Sequence, residues 1–211
     1  ITINWGGYIF AVNLGRVVEA SMGYFLSPVF NMIGGYIFFN ERISKLKQLA
    51  VFFATIGALY YVLSGDSFPW LGFVVGFTFS AYGIARKAMS SSAVPGLFIE
   101  TLILLPFFLI FSIWFYSNFE ASFLNIDIST DVLLYLAGAV TVIPLALFNA
   151  GAKLLPMTTV GILFLITPTI QFLVGFYLQG ENVNINQLIG FVGVWTGLIM
   201  YSYGLIKEKR E

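Results

Sequence analysis

Eight stretches of roughly twenty apolar residues each, the length of a bilayer crossing, run almost back to back through this chain and narrow its possible folds more than any other feature. They cover about 1–14, 17–39, 46–63, 70–89, 95–116, 132–152, 157–179 and 185–206, the first being short of a full crossing. In hydrocarbon every backbone N–H and C=O must find an internal partner, which leaves α-helices and closed barrels. These stretches are continuously apolar rather than alternating, so a barrel is excluded. Only 9% of the 211 residues are charged, against roughly 25% in a soluble domain. The chain reads as an all-α integral membrane protein, a polytopic helix bundle.

The charges orient it. Alternate loops carry Arg42, Lys45 and Lys47, then Arg86 and Lys87, then Lys153, then Lys207, Lys209 and Arg210. The intervening loops carry Asp66, then Glu120, Asp127 and Asp131, then Glu181. Of the ten basic residues only Arg16 departs from one side. The positive-inside rule makes that side cytoplasmic, with the C-terminus on it.

Within this pattern lies a repeat. At a constant offset of 140, Pro28 matches Pro168, Gly35 matches Gly175, Glu41 matches Glu181, Gly57 matches Gly197 and Tyr61 matches Tyr201. Ser27 and Asn31 meet the near-equivalents Thr167 and Gln171. The spans holding Pro28 and Pro168 are five apart, an odd number, so they cross in opposite directions. Inverted-topology repeats of this kind are the construction of many secondary transporters.

The candidate mechanistic residues are the polar ones inside spans. Pro28, Pro106, Pro144 and Pro168 fall mid-span and are expected to break their helices. Each lacks an N–H and frees the carbonyl four residues earlier, Tyr24 for Pro28 and Phe164 for Pro168. Ser27, Asn31, Thr167 and Gln171 lie within a turn of those two breaks and suggest a polar site at mid-membrane. The plainer alternative is a packing kink satisfied by neighbouring hydroxyls. Asn13 and Asn149 precede the two repeat spans, and their amides suit a neutral or zwitterionic ligand or serve as interhelical glue. Tyr24, with Trp5, Tyr8 and Tyr82, is a further candidate for a cavity wall. Glu100 sits five residues inside its span after Pro95. A carboxyl there is costly unless used. It is either a coupling acid or the partner of Arg86, Lys87 or Lys153. Arg16 and Glu19 are spaced to pair on one helix face. Glu41 and Glu181 end the repeat helices and are expected to cap or orient the loops that follow. Gly72, Gly76, Gly190, Gly193 and Gly197 are expected to be packing surfaces.

Several functions have no residues to carry them. There is no cysteine or histidine, which removes disulfides, thiolate metal sites and the commonest general base. No P-loop occurs, no basic tract calls for nucleic acid, and no cofactor or metal is expected.

With these residues placed, the chain resembles the RarD family of EamA-type drug/metabolite transporters. The resemblance runs over the whole chain. It rests on Asn4-Trp5, Ala11-Val12-Asn13, Glu19-Ala20-Ser21, Gly23-Tyr24-Phe25, Pro28 and Asn31, Glu41-Arg42, Tyr82-Gly83, Glu100-Thr101-Leu102 with Pro106, and Thr167-Pro168-Thr169 with Gln171. It implies a ten-helix permease of the bacterial inner membrane, built of two inverted five-helix halves. Residues 1–64 would then be the end of the first EamA repeat, its N-terminal helices missing, and 65–211 the second. Ser27 departs from the family, which commonly has asparagine before the first proline. The expected activity is alternating-access transport of a small organic solute or drug-like metabolite. Asn13, Tyr24, Asn31, Asn149 and Gln171 would line the cavity, and Glu100 would couple transport to protons. A membrane scaffold with dry, paired polar residues is the first rival. A lipid-directed membrane enzyme is the second. The solute, its direction and the oligomeric state do not follow from the sequence.

Overall fold

The structure, a computed structural model, describes residues 1–14, 23–64, 70–119, 123–178 and 184–208. Arg16, Glu19, Asp66, Glu120, Glu181, Lys209 and Arg210 lie outside the described residues, as does the side chain of Gln171.

The regular elements among the described residues are helices: α1 (Thr2–Asn13), α2 (Ser27–Phe39), α3 (Lys45–Leu63), α4 (Trp70–Ala88), α5 (Ala93–Asn118), α6 (Ile128–Leu154), α7 (Met157–Phe164), α8 (Ile166–Leu178) and α9 (Ile185–Glu208). Helix runs through the described part of each expected apolar stretch, with α7 and α8 sharing one. Lys45–Leu63, Ala93–Asn118, Ile128–Leu154 and Leu188–Glu208 are long and apolar enough to cross a membrane. The protein is a multi-pass membrane protein.

The chain packs as two compact units, one of Ile1–Ala85 with Leu155–Glu211 and the other of Arg86–Leu154. The first is organised on the seam between α3 and α9. Lipid tails are as apolar as leucine, so helices in a membrane associate through close packing rather than water exclusion. Glycine supplies that closeness. A Cβ on Gly57 would fall 2.6 Å from the Gly190 carbonyl oxygen, one on Gly190 2.6 Å from Tyr61 Cβ, and one on Gly197 2.7 Å from Ala54 Cβ. As the position rises along α9 its partner falls along α3, so the two helices are antiparallel. At the offset of 140, α9 is the repeat mate of α3 and Gly197 the mate of Gly57. The two repeats thus meet through the same residues, in opposite directions. Phe25, Val51, Ala54, Tyr61, Ile162, Leu165, Phe191 and Val194 complete a buried core around the seam.

At one end of this unit, buried Lys47 pairs with Glu208 and its ammonium lies 5.5 Å from the Tyr201 ring centre. The Tyr201 hydroxyl is 3.0 Å from that of Thr159.

In the second unit α5 packs on α6. Both run unbroken through their prolines, Pro106 and Pro144. This corrects the expectation of breaks there. A long helix can lose one amide donor and bend without ending.

Candidate functional site

The two remaining prolines do mark breaks. The helical run from Gly23 stops at Leu26, and α2 restarts with Pro28 in its first turn, where a missing N–H removes nothing from the ladder. The Leu26 N–H donates to the Gly23 carbonyl at 3.1 Å, a tightened turn. In the other repeat α7 stops at Leu165, whose N–H donates to the Ile162 carbonyl at 3.1 Å. Thr169 then gives the Leu165 carbonyl both its amide, at 3.4 Å, and its hydroxyl, at 2.9 Å. The breaks fall two residues before Pro28 and three before Pro168, so the repeat is not exact here.

Tyr24 and Phe164 are repeat mates, and their rings meet edge to face at 5.2 Å. Phe79 joins them, at 6.0 Å from Tyr24 and 4.4 Å from Phe164, and Tyr8 lies 6.3 Å from Tyr24. Beside this aromatic cluster α2 closes on α7. A Cβ on Gly161 would fall 2.9 Å from both Pro28 Cα and Asn31 Cβ. Ser27 and Asn31 are both buried there.

Two of the five expected cavity residues, Tyr24 and Asn31, therefore share this buried region. Asn13 is exposed at the end of α1, and Asn149 is buried on α6 in the second unit. Trp5 is exposed and Tyr82 buried. Sequence reading passed over Asn4 as a polar contact. Its amide donates to the Val75 carbonyl at 2.6 Å and to the Thr78 hydroxyl at 3.3 Å, tying α1 to α4. Ser80 was also missed, for nothing marks one serine in an apolar helix as buried.

Beyond the loop that follows it, Glu41 reaches a distant helix and caps α7. Its carboxylate accepts from the Met157 amide at 2.7 Å, the Thr158 amide at 3.2 Å and the Thr158 hydroxyl at 3.4 Å. Orphan amides and the positive end of the helix dipole both favour an anion there. The backbone sets up this reach. Asn40, at φ 51°, turns the chain out of α2, and the Glu41 N–H returns to the Gly35 carbonyl at 3.0 Å. A Cβ on Gly35 would fall 2.5 Å from Glu41 Oε2, so a side chain there would have to displace the carboxylate from its present place.

In the second unit Glu100 meets Arg86 at 3.1 Å, the partner foreseen in the structural alternative. Arg86 is only 1% exposed. Its Nη2 donates to the Ala93 carbonyl at 2.8 Å and the Ser92 carbonyl at 3.4 Å. Gly96 lies flat against the guanidinium, 2.1 Å from Nη1 to a Cβ built there. Gly96 and Glu100 are four residues apart on one helix face, a signal the sequence did offer. Lys153 donates to the Met89 carbonyl at 2.6 Å instead. An open cleft of about 330 Å³ lies here, lined by Arg86, Ser90, Ser91, Ile99, Glu100 and Ile103. Among the described residues no group of three or more Asp, Glu, His or Cys could hold a metal.

Comparison with known proteins agrees with this architecture. The model of the EamA-like transporter family matches residues 68–203. The chain is 36% identical over 211 residues to an uncharacterized transporter of Pseudomonas aeruginosa, covering all of this chain and 71% of that protein. It is 34% identical over 213 residues to an uncharacterized transporter of Bacillus subtilis, covering 100% and 70%. It is 33% identical over 211 residues to the RarD protein of Escherichia coli, covering 99% and 70%.

Proposed function

Because the chain belongs to the RarD family of EamA-like transporters, we propose that it is a secondary-transport permease moving a small organic solute across the bacterial inner membrane by alternating access. Residues 1–64 and 65–211 belong, on this reading, to successive inverted repeats, with the C-terminus in the cytoplasm. The observation that carries it is the pair of proline-marked helix breaks, with mated Tyr24 and Phe164 packed together beside buried Ser27 and Asn31. Broken helices with polar side chains at mid-membrane are how such proteins bind solute. Asn13, Tyr24, Asn31, Asn149 and Gln171 are the residues proposed to meet it.

Glu100 is the proposed coupling acid. Protonation would cancel its attraction for Arg86 and so change the relative stability of the two access states. A Glu100→Gln protein that kept full dependence on a pH gradient would remove Glu100 from that role.

The transport reading is tested with single cysteines at positions 31, 149 and 171 of the intact, cysteine-free protein, labelled by membrane-impermeant reagents from each side. Labelling from both sides, altered by pH, is the expected result. Labelling from neither side at all three would make the amides packing groups and defeat the reading.

A further inference from the structure

Two serines in this bundle behave unlike the hydroxyls around them. A serine or threonine inside a membrane helix ordinarily donates to the carbonyl four residues back. Thr55, Thr78, Thr101, Thr169, Thr196 and Ser202 all do so, at 2.7–2.9 Å. Ser27 and Ser80, 0% and 1% exposed, have no hydrogen-bond partner for their hydroxyls among the described residues. For Ser27 the Gly23 carbonyl already receives the Leu26 N–H at the break. Asn31 Oδ1, in a residue 3% exposed, also has no partner among the described residues. Buried polar atoms left unsatisfied are rare because each forfeits its hydration.

The fold brings these three to one level. A Cβ on Gly23 would fall 1.5 Å from the Gly72 carbonyl oxygen, and one on Gly76 2.0 Å from that of Gly23. Further along, a Cβ on Gly34 would fall 2.2 Å from Ile84 Cδ1. The contacts advance together, so α2 and α4 run parallel in this unit. Gly72, Gly76, Ser80 and Ile84 form one stripe at four-residue spacing; Gly23 and Gly34 face it, and Ser27 and Asn31 fall at helical spacing between those two glycines, with Asn31 against Gly161 of α7. Ser80 therefore comes level with Ser27 and Asn31, between the two glycine contacts.

We propose that Ser27, Asn31 and Ser80 form an uncharged subsite that takes a neutral, hydrogen-bond-donating group of the transported solute, a hydroxyl or amide N–H, and excludes carboxylate and phosphate. This deepens the permease reading and rests on it. The chemistry follows from the atoms present. Asn31 Oδ1 can only accept, while each serine can give or receive. No charged residue occurs from 23 to 39, from 70 to 85 or from 157 to 164; the cations that α4 does carry, Arg86 and Lys87, lie six and seven positions beyond Ser80, and Arg86 is paired with Glu100. An anion would exchange its hydration for no more than neutral hydroxyl and amide donors, with no counter-ion within the subsite, which leaves a buried charge unpaired.

The absence of cysteine from this chain gives the test. Ser27→Cys and Ser80→Cys, made singly in the intact cysteine-free protein, are treated with methyl methanethiosulfonate, which is neutral, and with its anionic ethylsulfonate analogue. Rates are normalised to those with free 2-mercaptoethanol. The neutral reagent is expected to modify both positions at least about tenfold faster than the anionic one, for the desolvation reason above. Equal normalised rates would overturn the assignment of a neutral ligand. No reaction at 27 or 80, with 149 and 171 labelled from both sides, would overturn the subsite and leave the permease standing. No labelling at any of the four positions would overturn both. Ser27→Ala and Ser80→Ala, expected to keep the parent Tm, show that substitution at these positions does not unfold the protein.

Discussion

At the residue scale, burial and a missing Cβ do more than charge to set what a side chain does. Arg86 could extend into water from the end of α4; it is buried because Gly96 lets α5 pass directly over it. Gly96→Ala is expected to displace the guanidinium from Glu100 and lower stability by about 1–3 kcal/mol, the worth of a charged hydrogen bond in a partly buried place. Thermal unfolding of the detergent-solubilised protein reads this. The loss should shrink when Glu100→Gln is already present, because both changes act on one bond. Outside the membrane, Asp127 accepts from the Thr130 amide at 2.6 Å and the Ser129 hydroxyl at 3.0 Å, capping α6. The Thr130 amide is the chief reason its carboxyl titrates below the ordinary value of 3.8. A carboxyl depressed in the folded state contributes above its unfolded pKa and loses that contribution as pH falls through the folded one. The first turn of α6 should therefore stay protected from hydrogen exchange at neutral pH and loosen only below pH 3.8. In Asp127→Ala it should be loose at both.

At the element scale the short helix α7 depends on a residue far from it in sequence. Glu41→Ala leaves the Met157 and Thr158 amides without their acceptor and is expected to cost about 1 kcal/mol, as loss of a helix N-cap does. Glu41→Gln, which can still accept hydrogen bonds, should cost less. Gly35→Ala should resemble Glu41→Ala, since the new methyl occupies the space of the carboxylate. Denaturant unfolding of the three variants tests that order, and an inert Gly35→Ala would show that the cap is not what holds α7.

For the whole molecule, the seam between α3 and α9 joins one repeat to the other. Gly57→Ala and Gly197→Ala each put a methyl where the partner helix already stands, with an expected loss of about 1–3 kcal/mol from overpacking. Because the two positions are mates on a shared seam, their losses should be similar in size. The double variant should lose less than their sum, since the first separation of the helices makes room for the second. Strict additivity in the unfolding free energy would mean that the seam does not act as one surface.

The sequence alone determined the membrane class, the all-helical fold and the family. Apolar length and residue identity are properties of the chain itself, and the bilayer leaves few ways to satisfy a backbone. It also marked Tyr24, Asn31 and Glu100 as residues out of place in an apolar span. What it did not contain was partnership. Glu41 and Met157 are separated by 116 residues, and Ser80 resembles any other helical serine until its neighbours are known. Pro106 and Pro144 are the same residue as Pro28 and Pro168, yet only the last two coincide with breaks. Whether a polar atom is satisfied depends on which distant helix lies over it and how closely a glycine lets that helix approach. The tertiary structure decided those pairings.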